Sequence, residues 1–403
     1  MAASGPRGID ALDPAAARRL RAPLLRWYRT AKRDLPWRRT TDPYAIWVSE
    51  VMLQQTTVAA VIPYWERFLT RFPDVASLAS SRENEVLALW SGLGYYRRAT
   101  ALREGAIAVM ERHDGSVPNE TEALLGLPGI GRYTAGAIAS LSAGRESPVV
   151  DGNVKRVFAR LFAMRGSGAQ LELKYWSIAD TLVRGPSPGD WNQALMELGA
   201  TVCTPRTPRC ESCPVAKLCR AKALGTPEAF PAPPKRQATS VVHVAVAWIE
   251  RRGRVLLVAH RDGGALRGRW DLPAVVVPLG TTPGRALAQE LSSHYRLRIR
   301  TAASLATAKH SILSTRLDIE VIEAAAVGIV PKRNALRWVS PSRLDEEAVS
   351  GATHKIVRLV VAHKRSHERL PSSGSSGSKG RAKAYASPSI RGTAPIAASK
   401  PAQ

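Results

Sequence analysis

The sequence predicts a mainly α-helical domain followed by a smaller domain of mixed α and β structure, and three observations carry that expectation. Apolar residues recur at three- and four-residue spacing from about Leu20 to Arg220. A proline-rich, basic stretch over 227–240 (PEAFPAPPKRQATS) then breaks the periodicity. Short β-branched runs separated by turn residues dominate after it. Residues 1–17 are expected to be a flexible lead-in. Segments such as IWVSEVMLQQTTVAAVIPYWERFL, NEVLALWSGLGYYRRATALREGAIAVM and GRYTAGAIASLSAG place about ten helices between residues 18 and 226. Residues 227–240 are expected to form a semi-stiff linker. The strands of 241–366 are VVHVAVAWIE, RVLLVAH, AVVVPLG and LDIEVIEAAAVGIV, with one helix at GRALAQELSSHY, so this part is of α+β type. Residues 367–403 are low in complexity and, from Pro371 on, carry five basic side chains and no acidic one, which predicts a disordered basic tail.

Charge indicates the partner. The 403 residues hold 58 Lys and Arg against 33 Asp and Glu, a formal net charge of +25, so a polyanion is the expected ligand. Nucleic acid is favoured over a membrane, because no run reaches the roughly 18 apolar residues a spanning helix needs. The first twenty residues lack an apolar segment and include Asp10 and Asp13, so they read as neither a secretory signal nor a good transit peptide, which points to the reducing cytoplasm; the chain is expected to be a monomer associated with the nucleoid.

All four cysteines fall in one short loop-rich segment, Cys203-x6-Cys210-x2-Cys213-x5-Cys219. Four thiolates so placed can close around one centre, either tetrahedral zinc or a cubane iron–sulfur cluster. Zinc sites usually pair two close doublets, whereas here one close pair is flanked by single cysteines, which leans toward the cluster without deciding it.

Three further motifs carry chemistry. In Leu127-Pro128-Gly129-Ile130-Gly131-Arg132-Tyr133-Thr134 the two glycines permit a tight hairpin that points backbone N–H groups outward beside a helix N-terminus, a device that holds a phosphate without reading sequence. Leu127, Gly129 and Gly131 are therefore the candidate contacts to the backbone of DNA. Asp151, in VVDGNVKRV, is a carboxylate among valines and a glycine; it suits a helix N-cap, a partner for a transient cation, or both. Glu50, in WVSEVMLQQTT, is one acid in an apolar and amide-bearing helix. It is either a solvated surface glutamate or a general acid whose pKa burial raises. Gln54 and Gln55 at the end of that helix are plain polar surface or a wedge for a base stack.

Together LPWR (35–38), DPYAIWVSEVMLQQTTV (42–58), WSGLGYYRRA (90–99), LPGIGRYTAGAI (127–138), VDGNVKRV (150–157), NQALMELGATVCTP (192–205) and the cysteine loop resemble the catalytic domain of the MutY-type adenine DNA glycosylases, in the endonuclease III-like superfamily. The resemblance implies a helix-hairpin-helix glycosylase fold with an iron–sulfur loop holding a [4Fe–4S] cluster, and double-stranded DNA with A:8-oxoG or A:G mismatches as partner. It implies that Glu50 protonates the adenine and Asp151 faces the oxocarbenium-like sugar, with Asn153 and Tyr133 supporting both acids. Arg33, Leu53 and Gln193 would contact the extruded adenine, and Gln55, Thr56 and Tyr95 would fill the stack. Tyr133 stands where bifunctional relatives carry the lyase lysine, which implies a monofunctional enzyme; Lys155 is a remote candidate for residual lyase activity. A bifunctional glycosylase and a noncatalytic mismatch-binding protein are the alternatives.

Residues 241–366 fall where that family carries a Nudix-like domain, and RGRWDLPAVVVP (267–278) is similar to part of it. The helix that would hold magnesium in a Nudix hydrolase retains one acid, Glu290, so the domain is expected to read the base opposite the adenine instead of hydrolysing nucleotides. The family's polar lesion-reading loop aligns with Ile312, Leu313 and Ser314, or, with a slip in register, with His310 and Ser311. The aliphatic alignment predicts weak preference for the lesion.

Overall fold

The first helix starts earlier than the sequence suggests. In the computed structural model, which describes residues 14–232, 240–259, 270–312, 315–330, 335–347 and 349–368, α1 spans Pro14–Ala31. Residues 14–17 are thus helical instead of a flexible lead-in. Proline is tolerated there because first-turn N–H groups have no intrahelical acceptor.

After α1 come α2 (Pro43–Leu53), α3 (Val58–Arg71), α4 (Val75–Ala79), α5 (Glu83–Leu89), α6 (Arg97–Arg112), α7 (Thr121–Leu125), α8 (Arg132–Ala143), α9 (Gly152–Leu161), α10 (Ala169–Val183), α11 (Pro188–Thr201) and the short α12 (Arg220–Ala223). They enclose two hydrophobic cores. Trp47, Met52, Phe68, Trp90 and Leu102 fill the first; Leu24, Tyr28, Phe158, Trp191 and Leu195 fill the second. Helix α8 serves both, giving Ala135 and Ile138 to the first and Ala137 to the second. Helix α2 is apolar nearly all round and buried from Tyr44 to Met52, as such a helix must be. Its start is fixed by Asp42, whose carboxylate accepts from the Tyr44 and Ala45 N–H groups.

The expected linker is shorter than 227–240. Residues 227–230 belong to the helical domain: the Arg160 Nε donates to the carbonyls of Pro227 and Phe230, each at 2.9 Å, and Phe230 is buried in the second core. Ser240 already opens the first strand.

The C-terminal domain is a mixed sheet of β1 (Ser240–Arg251), β2 (Arg254–Ala259), β3 (Trp270–Asp271), β4 (Ala274–Val276), β5 (Ile299–Ile312), β6 (Thr315–Ala326) and β7 (Leu336–Val339), with α13 (Pro283–Tyr295) and α14 (Gly351–Glu368). The strand order is β3-β2-β1-β6-β5, with β4 on β1 and β7 on β2. Among the described strands β1 and β6 pair in parallel, Val244 opposite Ile319; the other strand pairs are antiparallel, and an isolated bridge joins Trp270 to Val349 in parallel. Alternating side chains cover both faces, Trp248 and Val321 packing toward Ile356 of α14, Ala247 and Ile322 toward Leu287 and Leu291 of α13. Helix α14 runs to Glu368, two residues past the expected domain end. The rest of the expected tail lies outside the described residues, as do Leu313 and Ser314. The two domains touch at Val349, whose carbonyl accepts from Tyr96 OH at 2.6 Å and from Ser91 Oγ at 3.3 Å. Among the described residues no helix is long and apolar enough to cross a membrane.

Candidate active site

Where the two helical cores meet, the ends of α2, α8, α9 and α11 leave a cleft of about 1010 Å³. Eleven of the residues singled out in the sequence line it together: Glu50, Asp151, Asn153, Tyr133, Arg33, Leu53, Gln193, Gln54, Gln55, Thr56 and Gly131.

Glu50 enters from the buried face of α2 and is 5% exposed. Tyr133 OH, in the first turn of α8, donates to its Oε2 at 2.7 Å. Its Oε1 takes no hydrogen bond among the described residues and opens to the cleft. Burial raises the Glu50 carboxyl and the nearby Asp151 charge raises it further; the Tyr133 bond opposes them, and the balance lies at about 7. The solvated-surface alternative is therefore excluded. Tyr133 is itself pushed well above its ordinary value, first by burial and then by the two carboxylates, so it stays a donor.

Asp151 is the N-cap of α9. Its Oδ1 accepts from Val154 N at 2.7 Å and its Oδ2 from Asn153 Nδ2 at 2.8 Å, so both oxygens are held in place while the group lines the cleft. Asn153 is anchored in turn by Arg156, whose Nη2 donates to Asn153 Oδ1 at 2.8 Å and to Gly199 O at 2.7 Å. This close crossing of α9 and α11 needs Gly199: a Cβ there would lie 2.5 Å from that of Asn153. Lys155 points elsewhere and pairs with Glu172 at 2.7 Å.

The floor of the cleft holds an ion cluster that sequence reasoning missed. Glu197 of α11 is fully buried and accepts from Arg33 N, Nε and Nη2 and from Arg38 Nη2, at 3.1, 2.8, 2.8 and 2.8 Å. Burial alone would raise its pKa; the bonds from the two arginines outweigh it and hold the carboxyl at about 2. The signal was present, since Glu197 is the one acid in the apolar stretch ALMELGA that follows the polar first turns of α11, a pattern close to the one that marks Glu50. Arg33 is thus committed to Glu197 at the cleft edge. Gln193 is oriented by Tyr28, whose OH donates to its Oε1 at 2.9 Å.

The remaining expected contacts lie outside the cleft. Tyr95, 46% exposed, sits on the loop before α6. In the hairpin between α7 and α8, Gly129 has φ +75° and its missing Cβ would collide with Ala101 at 2.6 Å, so only glycine fits. Among the described residues no backbone acceptor takes the N–H of Gly129 or Gly131, and the space over Gly131 is open. The Leu127 side chain is buried, its N–H donates to Leu124 O and its carbonyl accepts from Ile130 N. Its side chain and N–H thus anchor the hairpin.

Cys203, Cys210, Cys213 and Cys219 line one small cavity with Arg160, whose Nη1 lies 3.3 Å from Cys203 Sγ. Among the described residues no three such side chains converge closely enough for a single ion; the sulfurs surround a space. Burial, with the neighbouring sulfurs adding to it, pushes the Cys213 thiol up to about 11. Four thiolates here therefore need a cationic centre among them, which is what this donor set fits. Arg206, Arg209, Lys217 and Arg220 of the same loop are exposed.

The chain is similar to known proteins along most of its length. The model of the HhH-GPD superfamily base excision DNA repair proteins matches residues 48–179, that of the iron–sulfur binding domain of endonuclease III matches 203–219, and that of the NUDIX domain matches 244–359. An adenine DNA glycosylase of Rattus norvegicus is 38% identical over 416 residues, covering 88% of this chain and 80% of that protein. One of Homo sapiens is 37% identical over 415 residues, covering 86% and 75%. One of Mycolicibacterium smegmatis is 43% identical over 205 residues, covering 51% and 70%.

Proposed function

The chain belongs to the adenine DNA glycosylase family, and from that premise we propose that its cleft hydrolyses the N-glycosidic bond of adenine paired with 8-oxoguanine or guanine. The observation that carries the mechanism is the pairing, in one cleft, of a buried carboxyl raised to about 7 with a second carboxylate held rigid at a helix N-cap. Two acids in unlike environments take unlike roles.

The target adenine leaves the duplex, because its glycosidic bond cannot be reached inside the stack. Arg33, Leu53 and Gln193 line its pocket, and Gln55, Thr56 and Tyr95 occupy the vacated stack. Glu50 gives its proton to adenine N7, so the base departs neutral as the C1′–N9 bond breaks. The oxocarbenium-like sugar faces Asp151, whose charge stabilises it. Water then adds to C1′ and returns a proton to Glu50, leaving an abasic site. Because the protonated form of Glu50 is the active one, the single-turnover rate should fall as pH rises above about 7, approaching tenfold per unit. A rate that rises steadily through that range would remove Glu50 as the acid.

Tyr133, hydrogen-bonded to Glu50, has no amine with which to attack the sugar, so the enzyme is monofunctional. Borohydride trapping should capture little enzyme on DNA; strong capture would favour a lyase. The four cysteines would hold a [4Fe–4S] cluster, which shapes the basic loop of Arg206, Arg209, Lys217 and Arg220 for phosphate. The C-terminal domain reads the opposite base: the lone acid of α13, Glu290, is paired with His294 at 3.0 Å, not grouped with other carboxylates for magnesium. With aliphatic Ile312 and Leu313 at the reading loop, A:G duplexes should be processed nearly as fast as A:8-oxoG. A large lesion preference in matched single-turnover assays would transfer the reading role to His310 and Ser311.

A further inference from the structure

Arg98, in the first turn of α6, spends its guanidinium on protein backbone. Its Nη1 donates to the carbonyls of Val51 at 2.7 Å, Met52 at 3.0 Å and Gln54 at 2.6 Å. These oxygens belong to the C-terminal end of α2, where carbonyls lack intrahelical partners and a cation is favourable. Its Nη2 donates to Thr56 Oγ1 at 3.3 Å, to Gly94 O at 3.1 Å and to Leu93 O at 3.5 Å, and its Nε to Tyr95 O at 3.3 Å. The guanidinium lies 5.5 Å from the ring centroids of both Trp90 and Tyr95. Among the described residues it has no carboxylate partner. In so basic a chain an arginine beside the DNA-binding cleft is expected to face phosphate; this one is turned inward to two loops.

Each of those loops carries one non-glycine residue in the left-handed region, Gln55 at φ 57° and Tyr95 at φ 47°. An L residue with a side chain holds that conformation only where its surroundings impose it. The loops are forty residues apart in sequence, and one side chain bonds Gln54 and Thr56 around Gln55 in the first and Leu93, Gly94 and the Tyr95 carbonyl in the second. We propose that Arg98 is a positioning residue that locks Gln55 and Tyr95 into a single wedge against the base stack and fastens that wedge to the end of the helix carrying Glu50. Opening of the duplex and protonation of the base are thereby set by one planar fork, which the point charge of lysine cannot reproduce. This rests on the proposed function, in which Gln55 and Tyr95 enter the stack.

The test is Arg98→Lys, which keeps the charge and the stem, in the full-length holoprotein. Duplexes carry adenine, or fluorescent 2-aminopurine in its place, opposite guanine. Single-turnover base release should fall by about tenfold to a hundredfold, and the 2-aminopurine signal of extrusion should fall with it, while the duplex Kd stays nearly unchanged. In a Gln55→Ala, Tyr95→Ala background the further effect of Arg98→Lys should largely vanish, since no wedge remains to position. Effects that multiply in the combined variant, or a lowered rate with full extrusion, would overturn the inference. A wild type that releases no adenine would instead sink the functional reading beneath it. Should Arg98→Lys fail to fold, hydrogen exchange on the wild type decides: residues 54–56 and 93–96 should be protected as one unit before DNA is added, and independent protection of the two segments would overturn the proposal.

Discussion

Asp151→Asn should slow base release by about 10³-fold or more while leaving duplex affinity nearly intact. Asparagine has the same shape and still offers an oxygen to Val154 N, so the N-cap of α9 survives. The lost quantity is the negative charge facing the developing cation, together with the match to the Asn153 amide, which now donates to Oδ2. Gel-shift binding and single-turnover release on the same duplex separate the two effects. Unchanged release would remove Asp151 from the chemistry. A chain that binds mismatches and never releases base, as wild type, would instead be a noncatalytic clamp.

Glu197→Gln should destabilise the fold strongly, costing about 3–5 kcal/mol. The carboxylate is fully buried and neutralises Arg33 and Arg38 from below the cleft; the amide leaves two guanidinium groups without a counter-charge. The sign of the pH dependence follows from the shift. Its folded pKa, about 2, lies under the ordinary carboxylate value of 4.5, so the contribution is present above pH 4.5 and lost as pH falls toward 2. Thermal unfolding of wild type and variant at pH 7 should differ by many degrees, and the gap should narrow in acid. Equal midpoints at pH 7 would show that the cluster does not support the cleft.

The parts legible in the sequence are those written in contiguous strings. Tyr133 and Asp151 each stand in a run whose glycines, valines and caps already describe the local backbone, and the structure places both beside Glu50. Groups assembled across long separations were not legible. Glu197 meets Arg33 and Arg38 from about 160 residues away, and nothing local to a lone glutamate names its partners. Arg98 was hidden for another reason: in a basic chain an arginine after two tyrosines looks like a phosphate contact, and only the fold turns it toward carbonyls. Leu127 shows that a residue inside the hairpin string can also pack, since its side chain is buried beneath the hairpin. The parallel pairing of β1 with β6 was beyond the pattern as well, because alternation specifies which face is buried and not which strand lies alongside.

The central claim is that one cleft removes adenine and stops at an abasic site. Incubation of excess enzyme with duplexes carrying each mismatch, scored separately for base release and for strand cleavage, tests it most directly. Adenine should be released opposite 8-oxoguanine and guanine, with strands intact until alkali or heat is applied. Release of a pyrimidine, or strand cleavage that keeps pace with base release, would contradict it.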